Sequence, residues 1–167
     1  MIRKDADERM CFLSTLEWLM AVTVRYGSPV QFGLVHIACG HKNQLGEAYG
    51  AQEAAHQLVA VIDSLKKAFR KTDLVARNGS DLWVIVPFTP STEKLHDKVI
   101  EILESAKHDG LNVVDREVSI FNLTNHLSEL DKQIKEFNAL SLLEYLEENK
   151  KALAQYTFEL SSSPALT

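Results

Sequence analysis

Cysteine is scarce in this chain: Cys11 and Cys39 are its only two in 167 residues, too few for a disulfide framework. The N-terminus lacks the succession of basic residues, apolar stretch and small-residue cleavage site that would mark a secretory leader. Both absences point to a reducing cytoplasm. A membrane-spanning run is missing too, because the most apolar stretch, Met10 to Val24, is interrupted by Ser14, Thr15, Glu17 and Thr23 and falls short of the ~20 residues that cross a bilayer. It reads as a buried helix. Positive charge is not in excess: the formal net charge is −5 and the pI about 5.7, which excludes a broad phosphate-neutralising face for DNA or RNA and leaves room only for a local anion site. No internal repeat is present. His36 and His41 flank Cys39, but without a second cysteine nearby they have no recognised zinc spacing. A packed strand histidine and a solvated loop histidine are expected, with no metal and no cofactor.

What remains is an ordinary globular composition, 46% hydrophobic and 25% charged, sufficient for one domain spanning 1–167 with a sizeable core. Phe12, Leu16, Leu19, Met20 and Thr23 share a helical face, predicting a helix over Cys11 to Tyr26 that ends at Gly27-Ser28-Pro29. Val30 to Ile37 is apolar on both alternating sets and predicts a central strand. Leu58, Val61, Ile62, Leu65 and Phe69 predict a long amphipathic helix over Ala48 to Phe69. Two apolar runs within Asp73 to Phe88, separated by Asn78-Gly79, predict an antiparallel hairpin. A helix over Ser91 to His108 and a strand within Asn112 to Leu123 follow. Beyond these, Leu127 to Phe137 and Ser141 to Gln155 read as helices and Tyr156 to Leu160 as a short strand. The order α-β-α-β-β-α-β suits an α+β, ferredoxin-like or palm-type fold, a mostly antiparallel sheet covered by helices.

The run Arg70-Lys71-Thr72-Asp73-Leu74-Val75-Ala76-Arg77-Asn78-Gly79-Ser80-Asp81-Leu82-Trp83, followed by Pro87, resembles the hairpin of GGDEF domains. In that family Arg-x-x-Asp is followed after five residues by Gly-Gly-Asp/Glu-Glu-Phe, and the spacing from Asp73 to Gly79 matches without a gap. Tyr49-Gly50 ahead of the long helix is similar to a Tyr-Gly pair of the family. The resemblance is strongest over 8–122; residues 124–167 are a divergent helical tail, since the family's usual Ala-Asp…Ala-Leu-Tyr…Ala-Lys…Gly-Arg-Asn ending is not found.

The resemblance implies lost chemistry. GGDEF cyclases join two GTP molecules with the help of divalent metal held by carboxylates. The family's Asp-Ile-Asp motif falls on Ala38-Cys39-Gly40, the signature Glu on Leu82 and its second glycine on Ser80. The guanine-reading Asn and Asp fall on Gly46 and Ala55. Asp81 alone keeps an acidic signature position. The chain is therefore expected not to be an enzyme and to have no catalytic residues.

It is expected instead to be a receptor for cyclic di-GMP. Arg70 and Asp73 match the family's inhibitory product site, where a guanidinium reaches phosphate or a guanine edge and a carboxylate accepts from guanine N1 and N2. The plainer reading of the pair is a helix end, with Arg70 at the negative pole and Asp73 opening the strand. The following helix offers Lys94, Lys98 and Lys107, but no Arg to complete such a site. Arg77 is assigned to the sheet surface and Trp83, standing where the family has Phe, to the core. Leu140, Leu142, Leu143, Tyr145 and Leu146, interleaved with Glu144, Glu147 and Glu148, are read first as core. The alternative is a scaffold whose hairpin or C-terminal helices contact a protein partner or a second copy and which takes no nucleotide.

Overall fold

The computed structural model describes residues 2–26, 32–38, 51–78, 81–87, 91–108, 116–123 and 127–160. Within them lie α1 (Ile2–Tyr26), β1 (Gly33–Ala38), α2 (Ala51–Ala68), β2 (Leu74–Asn78), β3 (Asp81–Val86), α3 (Thr92–His108), β4 (Arg116–Asn122), α4 (Leu127–Gln133), α5 (Ala139–Glu148), α6 (Lys150–Leu153) and β5 (Tyr156–Leu160). The strands form one sheet in the order β2-β3-β1-β4-β5. Every neighbouring pair is antiparallel.

β1 is central because both faces of it are apolar, as its burial along Gly33 to Ile37 records. Alternation then builds two cores. Leu34, Trp83, Ile85, Ala76 and Phe121 pack with Phe12, Leu16, Leu19 and Met20 of α1 and with Leu142, Leu143 and Leu146 of α5. Val35, Ile37, Leu82, Val84 and Val118 face the other way, against Val61 and Leu65 of α2 and Leu95, Val99 and Leu103 of α3. The result is three layers, with α1, α4 and α5 on one side of the sheet and α2 and α3 on the other.

Three expectations change. α1 begins at Ile2 rather than Cys11; its first turns are rich in Arg, Lys, Asp and Glu and show no apolar stripe. Polar contacts hold them: Arg9 Nε donates to Asn78 Oδ1 at 3.1 Å and Lys66 Nζ to Glu8 Oε1 at 2.6 Å. In the hairpin, Asn78 is the last residue of β2 and pairs with Asp81, so the sequence leaves Gly79 and Ser80 between the strands; those two, like His41, Gly46, Tyr49 and Gly50, lie outside the described residues. The tail does end in the strand expected over Tyr156 to Leu160. β5 lies along β4, with Tyr156 opposite Ile120 and Phe158 opposite Val118, and His96 of α3 lies tilted against the Tyr156 ring at 4.6 Å and meets the Phe158 ring edge-on at 5.0 Å.

The expected Ser141 to Gln155 helix begins earlier, at Ala139, because Asn138 caps it. Ser141 N donates to Asn138 Oδ1 at 2.9 Å, and Asn138 N donates to Ser141 Oγ at 3.0 Å. This reciprocal box satisfies two amides that a helix start leaves free. Asn138→Ala is expected to cost about 1 kcal/mol, readable as a lowered urea midpoint with an unchanged slope.

Candidate functional site

Arg70 and Asp73 close the turn that leads from α2 into β2. Asp73 N donates to Arg70 O at 2.9 Å, and the Asp73 carboxylate accepts from Arg70 N at 3.0 Å. The helix-end reading is thus realised in the backbone. It leaves the Arg70 guanidinium outside the turn, exposed, and among the described residues none hydrogen bonds it.

The same turn lines an open groove of about 490 Å³, whose other wall is the start of α3. Arg70 and Asp73 face Ser91, Lys94 and Lys98 across it, over a floor that includes Phe69 and Leu95. Phe69 and Leu95 belong to the α2/α3 core and are 6% and 5% exposed, so the floor is part of the packed core. Lys98 Nζ stands 4.9 Å from the centre of the Phe69 ring, a cation–π distance that holds the ammonium over the floor. Three cations and one carboxylate thus converge in a chain whose net charge is negative, as a local anion site requires. The volume lies within the range of small-ligand sites, about 300–1,000 Å³. Lys94 and Lys98 come from α3 as the sequence placed them; the Lys107 side chain lies outside the described residues.

On the opposite face of the sheet a second polar group interrupts the core. His36 of β1 is 2% exposed and stacks on Trp83, 4.4 Å between centroids and 25° between planes. Its Nε2 lies 3.0 Å from Asp81 Oδ2 and 3.5 Å from Glu147 Oε1. The Glu147 carboxyl is held above the usual carboxylate range by burial, eased by His36 and reinforced by Asp81. The packed strand histidine was expected; its two carboxylate partners were not. Nothing in local spacing links β1 to the end of α5, and an isolated histidine in an apolar strand was the only signal. Trp83 is core, fully buried and 6.2 Å from Phe121. Arg77 sits in β2 opposite Leu82.

The family model for the GGDEF domain of diguanylate cyclases matches residues 7–137. The chain belongs to the GGDEF domain family. Solved GGDEF domains share its fold: that of YfiN from Pseudomonas aeruginosa matches with a TM-score of 0.61 at 14% identity, covering 89% of this chain and 92% of its own. That of DgcB from Caulobacter crescentus, in complex with cyclic di-GMP, matches with a TM-score of 0.64 at 13% identity, covering 86% and 82%. No curated protein matches the chain. The structural coverage is wider than the family model, so the likeness of this GGDEF domain to its relatives takes in part of the C-terminal region. No helix among the described residues is long and apolar enough to cross a membrane.

Proposed function

We propose that this GGDEF domain is a receptor for cyclic di-GMP that does not synthesise it, with the ligand held in the groove between the α2–β2 turn and α3. One observation carries the reading: Arg70 and Asp73 line a single groove together with Lys94 and Lys98. Arg70 supplies a planar fork for phosphate or a guanine edge, and Asp73 a carboxylate for guanine N1 and N2. The two lysines supply point charges where an arginine would bind with two hydrogen bonds. The cyclic di-GMP bound by DgcB makes this ligand the first to try.

Silence toward GTP is part of the proposal. Magnesium asks for a cage of oxygen ligands at about 2.0–2.1 Å. Here Leu82 occupies the signature Glu position and is fully buried against α2 and α3. Ala38 stands at the end of β1, and Asp81 is engaged with His36. These residues do not fit the family's magnesium site.

Calorimetry with cyclic di-GMP tests the receptor. Saturable binding by the wild type and at least a tenfold loss in Arg70→Ala are expected, since removing one charge-assisted partner is worth about 1.5–3 kcal/mol. Lys98→Ala should weaken binding less and make it less sensitive to salt. Absence of binding by the wild type, or binding indifferent to Arg70, refutes the reading. Incubation with GTP and magnesium should yield no cyclic di-GMP.

A scaffold role is the second reading, favoured by Trp18 of α1, which is 62% exposed. It predicts capture of a protein partner that ignores cyclic di-GMP and is lost in Trp18→Ala.

A further inference from the structure

The groove leaves the His36, Asp81 and Glu147 cluster unexplained. Its three ligand atoms, one imidazole nitrogen and two carboxylate oxygens, lie within 4.8 Å of one another, with Nε2 at 3.0 and 3.5 Å from the two oxygens. Ligands bound at about 2.0–2.2 Å in a tetrahedron stand about 3.4 Å apart, so small side-chain adjustments bring all three to one ion. We propose that this cluster binds a borderline transition-metal dication of the Zn²⁺ class, with water completing the coordination.

The donors come from three separate elements: the central strand, the first residue of β3 and the last turn of α5. His36 is locked by its stack on Trp83 and presents Nε2 to the site. Asp81 and Glu147 have side chains 22% and 34% exposed, which leaves an entry path and room for water. Trp83 adds an independent sign. Its indole N–H is buried without a hydrogen-bond partner, yet lies near enough to draw the Glu147 pKa down. The indole N–H therefore stands beside the carboxylate, where a small adjustment would let it donate, as donors behind metal ligands do.

The donor set selects the ion. Imidazole suits zinc and its neighbours, whereas magnesium requires oxygen ligands in near-ideal octahedral geometry. Only Asp81 stands at a signature position of the family; His36 and Glu147 do not, and Glu147 comes from the region beyond the family model. The ion would fasten α5 to the hairpin rather than serve phosphate.

The test is calorimetric titration of the chelator-treated full chain with Zn²⁺, with Mg²⁺ as control and Co²⁺ absorption as a report of ligand type. The wild type is expected to bind one Zn²⁺ far more tightly than Mg²⁺ and to melt at a higher temperature when loaded. Glu147→Gln preserves shape at a half-exposed position and should weaken Zn²⁺ by at least about tenfold, given that even loss of a supporting group costs 10–100-fold. His36→Gln should abolish the imidazole signature of Co²⁺. No saturable binding by the wild type overturns the proposal. So does wild-type affinity in Glu147→Gln, which would put the ion elsewhere, as at the exposed Cys11.

Discussion

Trp83→Ala is expected to cost about 3–5 kcal/mol of stability, the range for truncating a large buried aromatic, and to bring the domain close to unfolding at ordinary temperature. Trp83 is fully buried at the middle of β3, paired with His36 across one strand and with Ala76 across the other. Its ring packs against both the His36 and the Phe121 rings, in the core beneath α1 and α5. Truncation removes the atoms and leaves a cavity that β-sheet neighbours, fixed by their ladders, cannot fill. It also frees the His36 ring on one face. Trp83→Phe keeps an aromatic ring in place and should cost markedly less. Urea denaturation of both variants checks this; a loss below 1 kcal/mol for alanine would mean that the core closes without the indole.

A chain ending at residue 137, where the family model ends, is expected to lose cooperative folding. Leu142, Leu143 and Leu146 are each fully buried. At about 1.5–3 kcal/mol for each buried side chain, their removal withdraws about 5–9 kcal/mol, comparable with the whole stability of a small domain, about 5–15 kcal/mol. The cut also removes β5 and uncovers the edge of β4 from Arg116 to Ile120, leaving open backbone groups that invite aggregation. Thermal melts by circular dichroism and dye binding decide it. A sharp transition near that of the full chain would show that the C-terminal helices are an appendage.

The contrast between these two regions shows what the sequence made legible. Elements with a strong apolar period were read closely: the stripe of α2, the β2–β3 hairpin, though its turn was placed one residue early at Asn78-Gly79, and the strand Tyr156 to Leu160, whose bounds are those observed. Elements held by polar contacts were not, because Glu8 with Lys66 and Arg9 with Asn78 join residues distant in sequence. Arg70 and Asp73 were found through their spacing, and Lys94 and Lys98 through their place on α3. That all four share one groove depends on how α3 packs beside α2 and the α2–β2 turn. Glu147 was legible only as an acidic residue in a leucine-rich stripe, since its approach to His36 depends on how α5 crosses the sheet.

That crossing also bears on the order in which the molecule can assemble. α1 leans on β2 and on α5, and Glu17 Oε1 accepts from Ala139 N at 2.6 Å, 122 residues away. During synthesis the apolar side of α1 is therefore made long before its cover is complete: Phe12, Leu16, Leu19 and Met20 can meet the sheet first, and Leu142, Leu143 and Leu146 of α5 only later. Closing so long a loop slows folding and prolongs the exposure of that surface. The interval before α5 leaves the ribosome is when this GGDEF domain most needs protection, and it is set by topology rather than by the strength of any single contact.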